Sequence, residues 1–314
     1  MTADVVVGVD IGGTSTRAFV LGLDGVPRGR GKAGGANPNS HPPDVAAKRV
    51  GEAVAEALGA RDPGAARHCL LGMAGVSKLA DPLVEREFHD ALAVVGLRCP
   101  VTALSDAEVA FASATGEPEG TVLVAGTGSV AARIVNHRKA RTLGGHGWLL
   151  GDEGSAFWLG REAVRATLAV LQSDESVGAL AAAVLREAIN EVPADRLRAH
   201  SRLITAANAE APIRLARFAE LVSAHAADDP RAKKIVDEAA ALLTRQALAL
   251  RVPGEHAPIV LVGSVAAAGG PVGDLLRAAL AEAGAIVLSA ADGAAGAAWL
   301  AAIEVAGPGA PRPR

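Results

Sequence analysis

The chain has 314 residues, half of them apolar, enough to bury the cores of two domains of ordinary size, and this excludes a disordered polymer. A net charge of −3 without any dense Lys/Arg run leaves no electrostatic footprint for nucleic acid or an anionic membrane, so neither partner is expected. No apolar run approaches the ~20 residues that span a bilayer. Met1 leads straight into a strand-like run, and the two cysteines, Cys69 and Cys99, suit a reducing compartment, so a cytoplasmic protein is expected.

In chain order, the first element is the apolar run Val5 to Val9, followed by Asp10-Ile11-Gly12-Gly13-Thr14-Ser15-Thr16, a second run from Arg17 to Leu23 and the hairpin signal Asp24-Gly25. The glycines let backbone N–H groups approach a bound anion, and the Thr and Ser hydroxyls add donors, a cradle for phosphates that needs no lysine. Asp10 ends the first strand and could hold Mg2+ through water, because that ion keeps most of its hydration shell and takes few carboxylates. A plain glycine-rich turn with a solvated aspartate is the other reading. Asn37, in Gly34-Gly35-Ala36-Asn37-Pro38-Asn39, offers amide donors and acceptors to a sugar, or simply a turn. Helical spacing of apolar residues predicts helices over 44–58 and 82–95, with strands over 69–73 and 101–104. Asp106 follows the latter strand and opens a helix, where a carboxylate serves either as a helix N-cap or as the base that takes a proton from an attacking alcohol.

The strand–turn–strand pattern then returns: Thr121 to Ala125, Gly126-Thr127-Gly128-Ser129, and Val130 to Val135, turning at Asn136-His137-Arg138. Gly126 to Ala131 also matches the dinucleotide fingerprint G-x-G-x-x-A, but that motif needs a helix after the glycines and a carboxylate ending the next strand, and neither is present. The stretch Gly144 to Ser155 precedes a long helix over 156–171. Asp152 or Ser155 could cap that helix, or Asp152 could accept hydrogen bonds from vicinal hydroxyls of a polyol, with His146 and Trp148 adding a positioning surface. A helix is predicted over 231–250 and a strand over 259–262. The strand runs into Gly263-Ser264-Val265, a small-residue turn on which an adenine ring could lie.

The repeat predicts two similar domains and the alternation of helix and strand an α/β fold. The boundary is placed at Gly116 to Gly120, giving domains 1–117 and 118–306, and Gly307 onward reads as a frayed tail. Zinc-ligand spacing, a nucleophile elbow and a reactive-cysteine motif are absent from the sequence.

The order of these motifs resembles the BadF/BadG/BcrA/BcrD group of the actin-like ATPase superfamily, and within it the N-acetylglucosamine kinases. The resemblance covers nearly the whole chain. Asp10 to Thr16 looks like the first phosphate motif, Ser105-Asp106-Ala107 like the catalytic aspartate motif, and Gly126 to Ser129 like the second phosphate motif. Gly151 to Ser155 resembles the sugar signature and Gly263-Ser264 the adenosine motif.

The resemblance implies two duplicated actin-like ATPase (ribonuclease H-like) domains with an interdomain cleft, ATP and Mg2+ as cofactors, an amino sugar as substrate and a homodimer. Within it, Thr14 and Thr127 contact ATP phosphates together with Gly12, Gly13, Ser15, Thr16, Gly126, Gly128 and Ser129. Asp106 is the general base, Asn37 and Asp152 hold sugar hydroxyls, and Gly145, His146 and Gly147 line the sugar. One departure bears on the acetamido or amine preference: relatives carry Gly-Trp-Gly where this chain has Gly145-His146-Gly147, with Trp148 one position later. An iron–sulfur ATPase activator of the same group is disfavoured, because Cys69 lies within an apolar strand and Cys99 precedes a proline. A non-catalytic sensor is disfavoured by the intact Asp10, Asp106 and Asp152, and the ROK family by the missing Cys-rich zinc motif.

Overall fold

The computed structural model of the chain describes residues 4–252 and 254–314. It opens with β1 (Val5–Ile11), β2 (Ser15–Gly22) and β3 (Pro27–Gly34), then α1 (Pro43–Leu58), β4 (Ala66–Met73), α2 (Pro82–Val95), β5 (Val101–Ser105) and α3 (Asp106–Ala114). The β-branched run of β1 is buried on both faces, as suits a central strand. It pairs antiparallel with β2, setting Asp10 opposite Arg17, and parallel with β4. The sheet order is β3-β2-β1-β4-β5.

Helix α1 starts at a proline, which lacks only an N–H that would be unpaired there, and ends at Gly59. Its buried stripe, Ala46, Val50, Val54 and Leu58 among others, packs with Val7, Val9 and Leu71 into one core. Each buried Val or Leu is worth about 1.5–3 kcal/mol.

The second half repeats the plan with β6 (Gly120–Ala125), β7 (Ser129–Val135), β8 (Arg138–Gly144), α4 (Ala156–Leu171), α5 (Ala179–Ile189), α6 (Arg196–Asn208), α7 (Ala219–Ala224), α8 (Pro230–Leu248), β9 (Ile259–Val262), α9 (Pro271–Glu282) and β10 (Val287–Ser289). Its sheet order, β10-β9-β6-β7-β8, is that of the first sheet read in the opposite sense, so the α/β duplication expected from the repeat is present. Its core is built by α4, α5 and α8, with Trp158, Leu185, Phe218 and Leu243 at its centre. Ser129–Val135 is a strand, which removes the dinucleotide reading.

The last helix, α10 (Gly293–Ala306), crosses back to the first sheet, burying Ala294, Ala298, Trp299 and Ala302 with Val6, Phe19 and Leu70. Two compact units result. The first holds residues up to Glu119, Ile134–Lys139 and Ala290–Arg314; the second holds Gly120–Arg133 and Ala140–Ser289. The single boundary near 117 is therefore only part of the division, because a largely apolar helix from the far end of the chain completes the first unit.

The tail also differs from expectation. Trp299 Nε1–H donates to Ala310 O at 3.0 Å, and Arg312 donates to the carbonyls of Ala112 and Ser113 at 2.9 and 3.2 Å while lying 5.1 Å over the Trp299 ring. These contacts cap the carbonyl end of α3 and hold residues 307–314 against it, where Gly and Pro content alone suggested fraying.

Candidate active site

In the first unit the turn between β1 and β2 is closed by Gly12 N–H donating to Ser15 O at 3.0 Å. A second loop backs it: Gly12 O accepts from Ala36 N at 3.0 Å and Asn37 N at 3.2 Å, and the His41 ring sits 2.8 Å from Gly13 O. The approach is so close that a Cβ on Gly35 would lie 2.0 Å from Gly13 O, so only glycine fits. Gly13 and Thr14 remain exposed and Gly12 and Ser15 partly so. Thr16, expected to add a hydroxyl, is instead fully buried with its Oγ1 unpaired, a core position on β2. Asn37 is also committed: its Oδ1 accepts from Asn39 N at 2.9 Å and its Nδ2 donates to Ala74 O at 3.1 Å, holding the loop that holds the turn.

Three carboxylates approach one another in this unit. Burial pushes the Asp10 carboxyl above the usual range, Arg17 opposes this, and the nearby Asp106 and Asp292 add to it. Asp106 is raised by burial too, against the Ala107 N–H that donates to its Oδ1 at 3.0 Å and the neighbouring Lys139 charge, with Glu108 pushing the same way as burial. Desolvated carboxylates at the end of β1 and the start of α3 make a site that favours a proton or a cation. Among the described residues, no cluster of three or more His, Cys, Asp or Glu side chains could enclose a metal. Mg2+ that keeps its waters and needs few carboxylates suits Asp10 better than a fully protein-made cage would. Asp292 was missed in the sequence. Its signal was only that of a helix N-cap, and it does cap α10, accepting from Ala294 N at 3.1 Å while pairing with Arg30.

In the second unit the Gly126–Ser129 turn is fastened to the start of α4. Ala156 N donates to Gly126 O at 2.8 Å and Phe157 N to Thr127 O at 3.1 Å. Ser129 N donates to Asp152 Oδ1 at 3.0 Å and Ser129 Oγ to Glu153 O at 2.8 Å. A Cβ on Gly128 would stand 2.7 Å from Asp152 Oδ1. The turn and the Asp152 loop, two separate motifs in the sequence, are thus one structure. Asp152, buried and in the left-handed region at φ 59°, has committed one carboxylate oxygen to the turn. Gly145, His146, Gly147 and Trp148 are exposed, with Trp148 edge-on to Phe157 at 6.1 Å. Beside Gly126, Val265 N donates to Ala125 O at 3.1 Å, so Gly263 and Ser264 lie against the same turn. A cavity of about 280 Å³ opens there, lined by Ser264, Val265, Ala156, Leu159, Ala219 and Pro271. A larger groove, about 450 Å³ between α1 and α2, includes no site residue expected from the sequence.

The structure therefore gathers Asp10, Gly12, Gly13, Thr14, Asn37 and Asp106 in the first unit. In the second it gathers Gly126, Thr127, Gly128, Ser129, Asp152, Gly263 and Ser264, with the 145–147 loop leading into Asp152. Cys69 is buried and its thiol pushed far up by burial, an inert core position.

Comparison with solved structures finds the fold elsewhere. A crystal structure of a candidate N-acetylglucosamine kinase from Chromobacterium violaceum is 24% identical at TM-score 0.71, covering 96% of this chain and 99% of that one. A ROK family glucokinase from Streptomyces griseus, solved with glucose and AMPPNP, is 21% identical at TM-score 0.55, covering 95% and 99%. Among curated proteins, the N-acetylmuramic acid/N-acetylglucosamine kinase of Clostridium acetobutylicum is 30% identical over 167 residues, 52% of this chain and 53% of its own length. The N-acetyl-D-glucosamine kinase of Dictyostelium discoideum is 27% identical over 189 residues, 57% of each chain. The chain spans a little over half the length of the curated relatives it matches. Residues 7–301 match the model of the BadF/BadG/BcrA/BcrD ATPase family, and the chain belongs to that family.

Proposed function

We propose that this chain is an ATP-dependent kinase that phosphorylates a hydroxyl, the 6-OH, of an amino sugar, with N-acetylglucosamine first among the acceptors. The observation that carries the reading is Asp106. Its desolvated carboxyl opens a helix beside Asp10, with one oxygen held by Ala107 N–H and, among the described residues, no side-chain hydrogen bond to the other. A carboxylate in that state is a base for an alcohol, and its raised affinity for protons favours accepting one from a hydroxyl. The two glycine turns present backbone N–H groups and the exposed hydroxyls of Thr14 and Thr127 for nucleotide phosphates. The cavity beside Ser264 takes the adenosine. Asp152, through its remaining oxygen, and the Gly145–Gly147 backbone hold the sugar; Asn37, whose amide is engaged within its loop, supports that role by shaping the loop. The names of the curated relatives support this substrate class.

Asp10 would hold Mg2+ through its waters; when bound, the ion supplies charge neutralisation to the phosphates. Catalysis by this chain's own residues is then positioning of the acceptor hydroxyl, acceptance of its proton at Asp106, and electrostatic support of the transferred phosphoryl group by backbone donors. We assign the protein to the cytoplasm, as a homodimer, a state that light scattering of the purified chain reports directly. The test of function is ADP release with Mg2+ and ATP against N-acetylglucosamine, glucosamine, N-acetylmuramic acid and glucose. Release dependent on an amino sugar supports the reading. Release with glucose alone moves the substrate to a neutral hexose, and release independent of any sugar removes the kinase assignment.

A further inference from the structure

Ser105 and Glu108 form a capping box at the start of α3, but one unlike an ordinary exposed box. The Glu108 side chain is buried. Its Oε2 accepts from both Ser105 N at 2.8 Å and Ser105 Oγ at 2.7 Å, while its Oε1 reaches 31 residues along the chain to accept from Lys139 N at 3.1 Å. An ordinary exposed capping box consists of the Glu contact to the N-cap N–H and the Ser contact to the N3 N–H, with no third partner from elsewhere in the chain. Burying a carboxylate is costly unless its lone pairs are matched, and here three donors match them. That cost falls two residues from Asp106, with Glu108 itself a like charge beside that carboxylate. For capping alone, a neutral Ser or Thr cap would suffice.

We propose that Glu108 is a positioning residue for the Asp106 base. One carboxylate clamps the backbone on the N-terminal side of Asp106 and ties it to the backbone of Lys139, fixing the turn that carries the aspartate. The consequence is geometric. Asp106 takes its orientation from the first turn of α3, through Ala107 N–H. A slip of the turn by a fraction of an ångström displaces the base, and misplacements of about 1 Å can lower turnover by roughly 10²-fold.

The inference rests on the kinase reading, and its test separates the two. Wild-type protein is first assayed for sugar-dependent ADP release; none with any acceptor overturns the kinase reading and this role with it. With turnover established, Glu108→Gln keeps the shape but replaces one acceptor oxygen by a donor. The expected result is a kcat lowered about 10- to 100-fold, with the KM for ATP within about twofold. Ser105→Ala, which removes only the hydroxyl contact, is the milder variant and keeps the test open should Glu108→Gln fold poorly; it is expected to lower kcat a fewfold. The decisive readout is the pair of changes in an Asp106→Asn background. If Glu108 acts through Asp106, adding Glu108→Gln, or Ser105→Ala, lowers the residual rate no further. A full additional loss in that background, or unchanged kcat in the single variants, overturns the proposal.

Discussion

Two turns that look alike in the sequence, Gly12 to Ser15 and Gly126 to Ser129, are supported in opposite ways. The first is backed by a loop: Ala36, Asn37 and His41 hold its carbonyls, and the carboxylates near it, Asp10 and Asp106, are desolvated and only partly hydrogen-bonded. The second is backed by the N-terminus of α4, and the carboxylate near it, Asp152, is bonded to the turn itself through Ser129 N–H. A carboxylate without a full set of donors is held at a cost in stability and is available for chemistry. One that accepts a backbone N–H is part of the scaffold and is left with one oxygen for a ligand.

The difference predicts distinct responses to substitution. The largest is at the base: Asp106→Asn keeps shape but cannot take a proton, and turnover should fall by roughly 10²-fold or more with little change in nucleotide affinity. Steady-state kinetics with ATP titrations check this, and unchanged turnover would remove Asp106 from the chemistry. Next is the glycine pair of the second turn. Gly128→Ala drives a Cβ to 2.7 Å from Asp152 Oδ1, whereas an added Cβ at Gly126 meets nothing within 4 Å. Gly128→Ala should lose about 1–3 kcal/mol by denaturant titration. Gly126→Ala should keep its stability and weaken nucleotide binding only, as seen by calorimetric titration.

Third, Asp152→Asn retains an acceptor for Ser129 N–H but loses the charge offered to sugar hydroxyls, so the sugar KM should rise about tenfold while stability holds. Asp152→Ala should also destabilise, by about 1–3 kcal/mol, because Ser129 N–H is left unpaired.

The smallest effect is on stability in the first unit. The folded-state carboxyls of Asp10 and Asp106 sit above the ordinary range, chiefly through burial. Their contribution to stability is therefore full below that range and lost as pH rises through the raised values, leaving ionised carboxylates as a cost at neutral pH. Asp10→Asn should raise Tm at pH 7, and the gain should shrink toward acid pH. A lower Tm at pH 7 would mean that the Asp10 charge is stabilising instead.

The fold was readable where the chain alternates or runs apolar: β1, β2, β6, β7 and α1, α2, α4 and α8 follow from periodicity and turn residues. The edge strands β3 and β8, rich in Arg, Lys and Gly, carry no apolar pattern, because an edge has one partner and an open side. Helix α10 was invisible for the opposite reason: apart from Glu304 near its end it is Ala, Gly and apolar residues on every side, so no polar face marks it as an amphipathic helix. Most of the candidate site residues stand in local motifs of the sequence. Their fastening was not: the bonds from Ser129 to Asp152 and from Glu108 to Lys139 join positions 23 and 31 residues apart. Spacing alone did not show that the Thr16 hydroxyl faces the core or that the Asn37 amide is bonded within its own loop.

The most direct test is to incubate the chain with ATP, Mg2+ and N-acetylglucosamine and follow phosphorus by 31P NMR. The account predicts a new phosphomonoester coupled to the C6 methylene protons of the sugar, formed in step with ADP and absent with Asp106→Asn. ADP accompanied by inorganic phosphate, with the sugar unmodified, would contradict it.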